Sequence, residues 1–382
     1  MKNIMSILFL TSLASACSFS QTQQAGFDRL LIAVGKGAAS VEVADLNNDG
    51  RPDMAVANTT DSNVTILLNQ GNRKFKPAAG SPFFAGHAPN DIAFADCNKD
   101  GYTDMILANH ERKHLTVLLG NGSGQFAPAP HSPFAVAVKP HTHGVAAADF
   151  NGDGKIDIVT DSWGVDSIVV LSGDGQGNFG NPVFFATGKH PYQRVRVADF
   201  NKDSLPDIVG TDLDANDVMI LSGNGKGGFS AHFFAAGNTP FGVAVGDVNA
   251  DGNLDLAVIN APTISGSKTG NDGLTVLTGD GSGNFSMLKG SPFATGKGPT
   301  RVAMGDLNDD GTSDIAITHY NSDFIAVFYM GPSGVLLSSL QIDSFSKSDG
   351  IAIFDMDGDG KKDIIVTGGD TNNVMILFNT GK

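Results

Sequence analysis

The chain has little of what marks a disulfide scaffold, a nucleic-acid binder or a familiar enzyme. There are two cysteines in 382 residues, Cys17 and Cys97, too few for a disulfide framework. Only 17% of residues are charged, and the lysines and arginines form no cluster, which excludes a basic nucleic-acid footprint. Beyond the extreme N-terminus no apolar run is long enough to span a bilayer. No G-x-S-x-G elbow, H-E-x-x-H helix, phosphate-binding loop or dinucleotide fingerprint occurs. Tryptophan occurs once, at Trp163. Glycine is abundant at 48 residues, and acid outnumbers base by 40 to 25, for a formal charge of -15.

The acid has a pattern. The nine-residue stretch D-x-N-x-D-G-x-x-D occurs seven times, starting at Asp45, Asp96, Asp149, Asp199, Asp247, Asp306 and Asp355, 48 to 59 residues apart. A period in that range indicates a propeller, solenoid or array. Positions one, three and five offer side-chain oxygens, position seven a backbone carbonyl and position nine a closing carboxylate. Glycine at position six permits the sharp turn. This is the ligand set of a hard, oxygen-seeking cation, and calcium is the expected cofactor. The predicted ligands are Asp45, Asn47, Asp49 and Asp53; Asp96, Asn98, Asp100 and Asp104; Asp149, Asn151, Asp153 and Asp157; Asp199, Asn201, Asp203 and Asp207; Asp247, Asn249, Asp251 and Asp255; Asp306, Asn308, Asp310 and Asp314; and Asp355, Asp357, Asp359 and Asp363. Seven dications would nearly cancel the net charge, so the acidity is mostly ligand chemistry. The flanks are β-branched and small, which reads as strand rather than helix.

Each repeat has the same internal order: an inner strand of small residues, the acidic loop, a second strand, a variable loop, a third strand, a glycine-rich turn such as that at residues 120–126, and a fourth stretch often reading S-P-F-x-x-G. Four short antiparallel strands per repeat are the content of a propeller blade. Ala44, Ala95, Ala148, Ala198, Gly246 and Gly305 stand just before the first Asp, where bulk would crowd a central axis; Phe354 is the exception. The last repeat stops after its third strand. The segment from Gly26 onward resembles a fourth strand, so the N-terminus is expected to complete the seventh blade and remove an open edge. The predicted fold is all-β: a seven-bladed β-propeller over residues 26–382, and a monomer.

On these motifs the chain resembles the FG-GAP/VCBS repeat family, whose best-known fold is the seven-bladed propeller of the integrin alpha subunit. The resemblance implies calcium in the loops of one face and leaves the function open. Three departures stand out. Ser204 replaces glycine at position six of the fourth loop, making it the weakest of up to seven sites. The sixth repeat carries Gly331-Pro332-Ser333-Gly334 in place of the usual turn, and the fifth has a long variable loop at residues 261–273.

The N-terminus reads as an export signal over residues 1–16: Lys2, an apolar run at residues 4–13, and the cleavage site Ala14-Ser15-Ala16. Cys17 follows in a lipobox-like context and would carry a lipid anchor, the sole contact with a membrane; plain cleavage is the alternative. Residues 17–25 read as a polar tether. Cys97, at loop position two, reads as a small buried hydrophobe.

Strand order puts the acidic loops and glycine-rich turns on one face and collects unlike residues on the other. His87, His110, His114, His141, His143, His190, His319, Trp163, Tyr192, Tyr320 and Arg194 all map there. The expected ligand site is His141, His143, Trp163, His190, Tyr192 and Arg194, over the third and fourth repeats, taking a glycan or a protein. His141-x-His143 could also hold a transition metal with His190 or His87, but no spacing brings these together, and solvated histidines are the plainer reading. The expected function is an exported, non-enzymatic binding or adhesion module. The alternatives are a polysaccharide lyase or hydrolase on the same scaffold, and a passive scaffold.

Overall fold

The computed structural model describes residues 21–24, 26–110, 112–136, 141–162, 166–187, 194–266 and 270–381. It is an all-β, seven-bladed propeller. Seven separate sheets each run antiparallel from an inner strand outward. The inner strands are Ala38–Ala44, Pro89–Ala95, Val145–Ala148, Arg196–Ala198, Pro240–Gly246, Pro299–Gly305 and Ser348–Phe354. They define blades one to seven. Each packs beside the next, and the seventh packs beside the first.

One register is repeated in every blade. The residue before the acidic loop pairs with the loop's ninth residue: Ala44 with Asp53, Ala95 with Asp104, Ala148 with Asp157, Ala198 with Asp207, Gly246 with Asp255, Gly305 with Asp314 and Phe354 with Asp363. The acidic stretch is therefore the hairpin connection between strands one and two, and its two ends are fixed by the ladder.

Second strands such as Asp104–Asn109 and Asp255–Asn260 are buried along their whole length. Their side chains alternate between the two neighbouring blades, so the core is a set of layers between sheets. In one layer Ala55, Val64 and Ile66 of blade one meet Ile92, Met105 and Leu107 of blade two. Removing a fully buried side chain such as Leu107 costs about 2–5 kcal/mol. Small inner-strand ends leave a central channel of about 270 Å³ lined by Glu42, Arg196, Val245, Met304 and Phe354, among others. Phe354 is 40% exposed there, with the Lys362 ammonium 5.2 Å from its ring.

Phe27–Ala33 pairs along its length with Asn373–Asn379, from Phe27 opposite Asn379 to Ala33 opposite Asn373. Two ends of the sequence thus share blade seven. Leu30 and Ile32 lie in one layer with Val374 and Ile376 and with Val41 and Met54 of blade one. Two features differ from expectation. Gln21–Gln24, in the segment read as a tether, forms a further strand on Phe27–Ala33. The long fifth-blade loop contains a short helix, Pro262–Ser265, begun by a proline whose missing N–H has no partner to lose there. Among the described residues no helix is long and apolar enough to cross a membrane.

Candidate functional site

The third acidic loop shows how the sequence builds each copy. Asp149 accepts hydrogen bonds from the Gly152 (2.7 Å), Asp153 (3.2 Å) and Gly154 (2.6 Å) amides. Asn151 accepts from the Asp153 amide at 2.9 Å, and Asp153 from that of Lys155 at 3.0 Å. These Asx turns curl the chain round a centre faced by positions one, three and five. The curl requires positive φ at position six, which is +75° at Gly154 and +65° at Ser204. Ser204 keeps the loop bond, donating to Asp199 at 2.8 Å, and carries the strain that glycine avoids.

Position nine has a duty that the sequence did not reveal. Asp157 is 1% exposed. One carboxylate oxygen accepts the Phe150 amide at 3.1 Å, and the other the Gly173 amide at 2.9 Å, just past the third strand, Ser167–Leu171. The same two bonds recur at Asp53, Asp104, Asp207, Asp255, Asp314 and Asp363. Burial, with a smaller push from neighbouring loop carboxylates, raises the Asp53, Asp104 and Asp255 carboxyls to about 6, and those of Asp314 and Asp363 to about 7. Each is a staple between loop and sheet, with lone pairs left to face the loop centre.

The donor set fits calcium: hard oxygens, several carboxylates in one curl, and an exposed mouth. In the seventh loop Asp355, Asp357 and Asp363 each place an oxygen within 4.8 Å of the others. Calcium bound in a loop would be held by positions one, three and five with help from nine, and would relieve the mutual repulsion of the carboxylates. Arg73 of blade one reaches this seventh loop, donating to Asp357 at 2.7 Å and to Asp28 at 2.9 Å.

The glycine-rich turns lie on the same face. The Gly124, Gly177, Gly227 and Gly283 amides each donate to the position-two carbonyl of the preceding blade's loop: Leu46, Cys97, Phe150 and Phe200. The atypical sixth turn docks one residue further along, Ser333 donating to the position-three carbonyl of Asn249 at 3.0 Å. Loops one to five are thus braced by the next blade's turn, and loops six and seven by the Asn379 and Asn69 side-chain amides donating to the Leu307 and Met356 carbonyls. Cys97 is buried in this layer, and desolvation pushes its thiol far up.

On the opposite face His110, after the second strand of blade two, meets His141 and His143 on the connection into blade three. One ring nitrogen of each lies within 4.8 Å of the others. His143 is 1% exposed, and its Nδ1 lies 2.9 Å from the buried Asp161 carboxylate, which also accepts the His143 and Gly144 amides. His141 Nδ1 lies 3.2 Å from His110 Nε2, and His141 has φ of +94°. The sequence maps His110 to this face but does not join it to the pair. The available signal was topological: the loop after strand two of one blade abuts the entry into the next.

The other predicted ligand residues fall out differently. Arg194 is turned inward, 6% exposed, with its guanidinium 2.5 Å from the fully buried Asp91. Arg301 bridges Asp349 at 3.0 Å and the Asn90 carbonyl at 3.0 Å. These bonds tie blades two, six and seven across the axis, a network that the sequence did not suggest. His319 is fully buried; it bonds Thr295, the Gly296 amide and the Phe324 carbonyl, and burial lowers its pKa. Trp163, His190 and Tyr192 lie outside the described residues, as does the segment 1–20 with its signal and lipobox expectations.

An FG-GAP-like repeat profile matches residues 45–107, 96–160, 199–258 and 307–366, more than half of the chain. The chain belongs to the FG-GAP-like repeat family. Solved structures share the fold of this FG-GAP-like protein at low identity. A lectin from Agrocybe aegerita, described as recognising non-reducing terminal N-acetylglucosamine, is 19% identical, with TM-score 0.56 over 88% of this chain and 87% of that one. BBS1N in complex with ARL6DN is 14% identical, with TM-score 0.60 over 91% and 94%. Kuenenia stuttgartiensis hydrazine synthase is 12% identical, with TM-score 0.62 over 91% and 97%. No curated protein matches the chain.

Proposed function

We propose that this propeller is an exported, calcium-loaded binding module that takes a glycan or a protein on the face opposite its acidic loops. The observation carrying this reading is the division of labour between faces. One face repeats a single acidic loop seven times, most copies braced by a turn of the next blade. The other varies more from blade to blade and, among the described residues, gathers imidazoles at the junction of blades two and three. A rigid scaffold with one varied face is how propellers commonly carry recognition. The fold is shared by a lectin and by a protein bound to a partner, which supports either ligand class. It is also shared by hydrazine synthase, so fold alone does not separate binding from catalysis. Export, and anchoring through Cys17, belong to this proposal.

The test is a glycan-array and protein-capture screen with calcium-loaded protein. Once a ligand is found, Trp163→Ala should weaken it by about 1–3 kcal/mol, the usual range for truncating an aromatic anchor. Tyr102, 38% exposed at position seven of the second acidic loop, is the opposite-face control. Normal binding by Trp163→Ala and Tyr192→Ala, with loss in a folded Tyr102→Ala, would place the ligand on the wrong face.

A further inference from the structure

We propose that His110, His141 and His143 form a site for a borderline transition-metal ion of the zinc class, separate from the calcium loops and on the other face. Three neutral imidazoles suit zinc, copper or nickel, and are poor ligands for calcium. Their geometry is close to a ligand set. Tetrahedral zinc with N–Zn bonds of about 2.0–2.1 Å places its nitrogens about 3.3 Å apart. His110 Nε2 and His141 Nδ1 are already 3.2 Å apart, and one ring nitrogen of each of the three histidines lies within 4.8 Å of the others. Closing the rest of the distance calls for rotation of the rings, of which those of His110 and His141 are half-buried.

The third imidazole is held as metal-bound histidines are held. Asp161 accepts from His143 Nδ1, which fixes the proton on that nitrogen and leaves the Nε2 lone pair for a ligand. Asp161 is itself fixed by two backbone amides and sits at 1% exposure, so the orientation is built into the sheet. His141 adopts φ of +94°, a backbone state that non-glycine residues leave unless something holds them, and such strain concentrates at functional sites. His110 and His141 are only half-buried, so three protein ligands would leave a fourth position open to water or to an oxygen of a bound ligand. The site does not depend on the glycan or protein reading, because its probe is the metal alone.

The experiment is titration of untagged full-length protein with Co²⁺ and with Zn²⁺ in excess calcium, which occupies the acidic loops. The expected result is one equivalent of Co²⁺ with the visible absorption of a tetrahedral nitrogen site, displaced by Zn²⁺. Asp161→Asn should weaken binding about 10–100-fold. His110→Gln, at a half-buried position that leaves the Asp161 anchor intact, should weaken it at least as much with an unchanged melting curve in the absence of transition metal. No stoichiometric uptake, or uptake unchanged in a His110→Gln/His141→Gln double variant, would overturn the proposal.

Discussion

The staple at position nine separates two roles within one acidic loop, and Asp157→Ala tests that separation. The carboxylate is buried, and its two oxygens accept the Phe150 and Gly173 amides. Alanine leaves both N–H groups buried without acceptors, at about 1–3 kcal/mol each. Part of this is offset because a carboxylate whose pKa burial already raises no longer has to be kept ionised. A net loss of about 3 kcal/mol is expected. Asp153→Ala is the contrast. Its side chain is 39% exposed and accepts one amide, that of Lys155. Surface losses of that kind stay within about 0.5–1 kcal/mol. The assay is urea unfolding in EDTA and in calcium. In EDTA Asp157→Ala should be strongly destabilised and Asp153→Ala hardly at all. In calcium Asp153→Ala should forfeit its loop's share of ion stabilisation, about 2.7 kcal/mol at a free-ion concentration of 100 Kd. Equal stability of the two variants in EDTA would refute the staple.

Gly154→Ser, copying the fourth loop into the third, should lower calcium-dependent stability by about 1 kcal/mol, and Ser204→Gly should raise it by a similar amount; calorimetric calcium titration of both checks this. Glu42 lines the channel, where burial raises its carboxyl to about 7 against the pull of Arg196 and Arg301 and with a push from Asp91. A carboxyl raised in the folded state contributes stability that is complete below about pH 4.5 and is lost as pH rises through about 7. Glu42→Gln should therefore stabilise the protein by about 1–3 kcal/mol at pH 8, discounted for channel water, and leave it nearly unchanged at pH 4.5, read from melting curves at both values. Deleting residues 26–34 removes the strand paired with Asn373–Asn379 and exposes that edge, so aggregation by light scattering is expected; a soluble monomer of unchanged stability would contradict the role of that strand.

The fold was legible because the same local chemistry recurs seven times. Small residues before Asp, a glycine at the tight position and β-branched flanks each have a local cause, and repetition turned weak signals into an architecture. The faces followed from strand order. What was hidden depends on contacts between blades. Position nine looks like one more ligand in sequence; its two amide partners come from the loop start and from a strand 16 residues away. Arg194 looks like a surface donor because nothing local announces Asp91, 103 residues earlier. His110 and His141 are separated by 31 residues and join only because blades two and three abut. Gln21–Gln24, in the segment read as a tether, is not legible as a strand because a polar edge strand has no hydrophobic alternation to betray it.

The most direct single measurement is calcium content per chain by elemental analysis, with melting curves in calcium and in EDTA on the same sample. Six to seven ions per chain and a marked fall in melting temperature on chelation are expected from the seven loops, with the Ser204 loop the first to empty. Protein that retains no calcium after dialysis against micromolar calcium, and melts identically in EDTA, would contradict the assignment of the acidic loops as structural calcium sites.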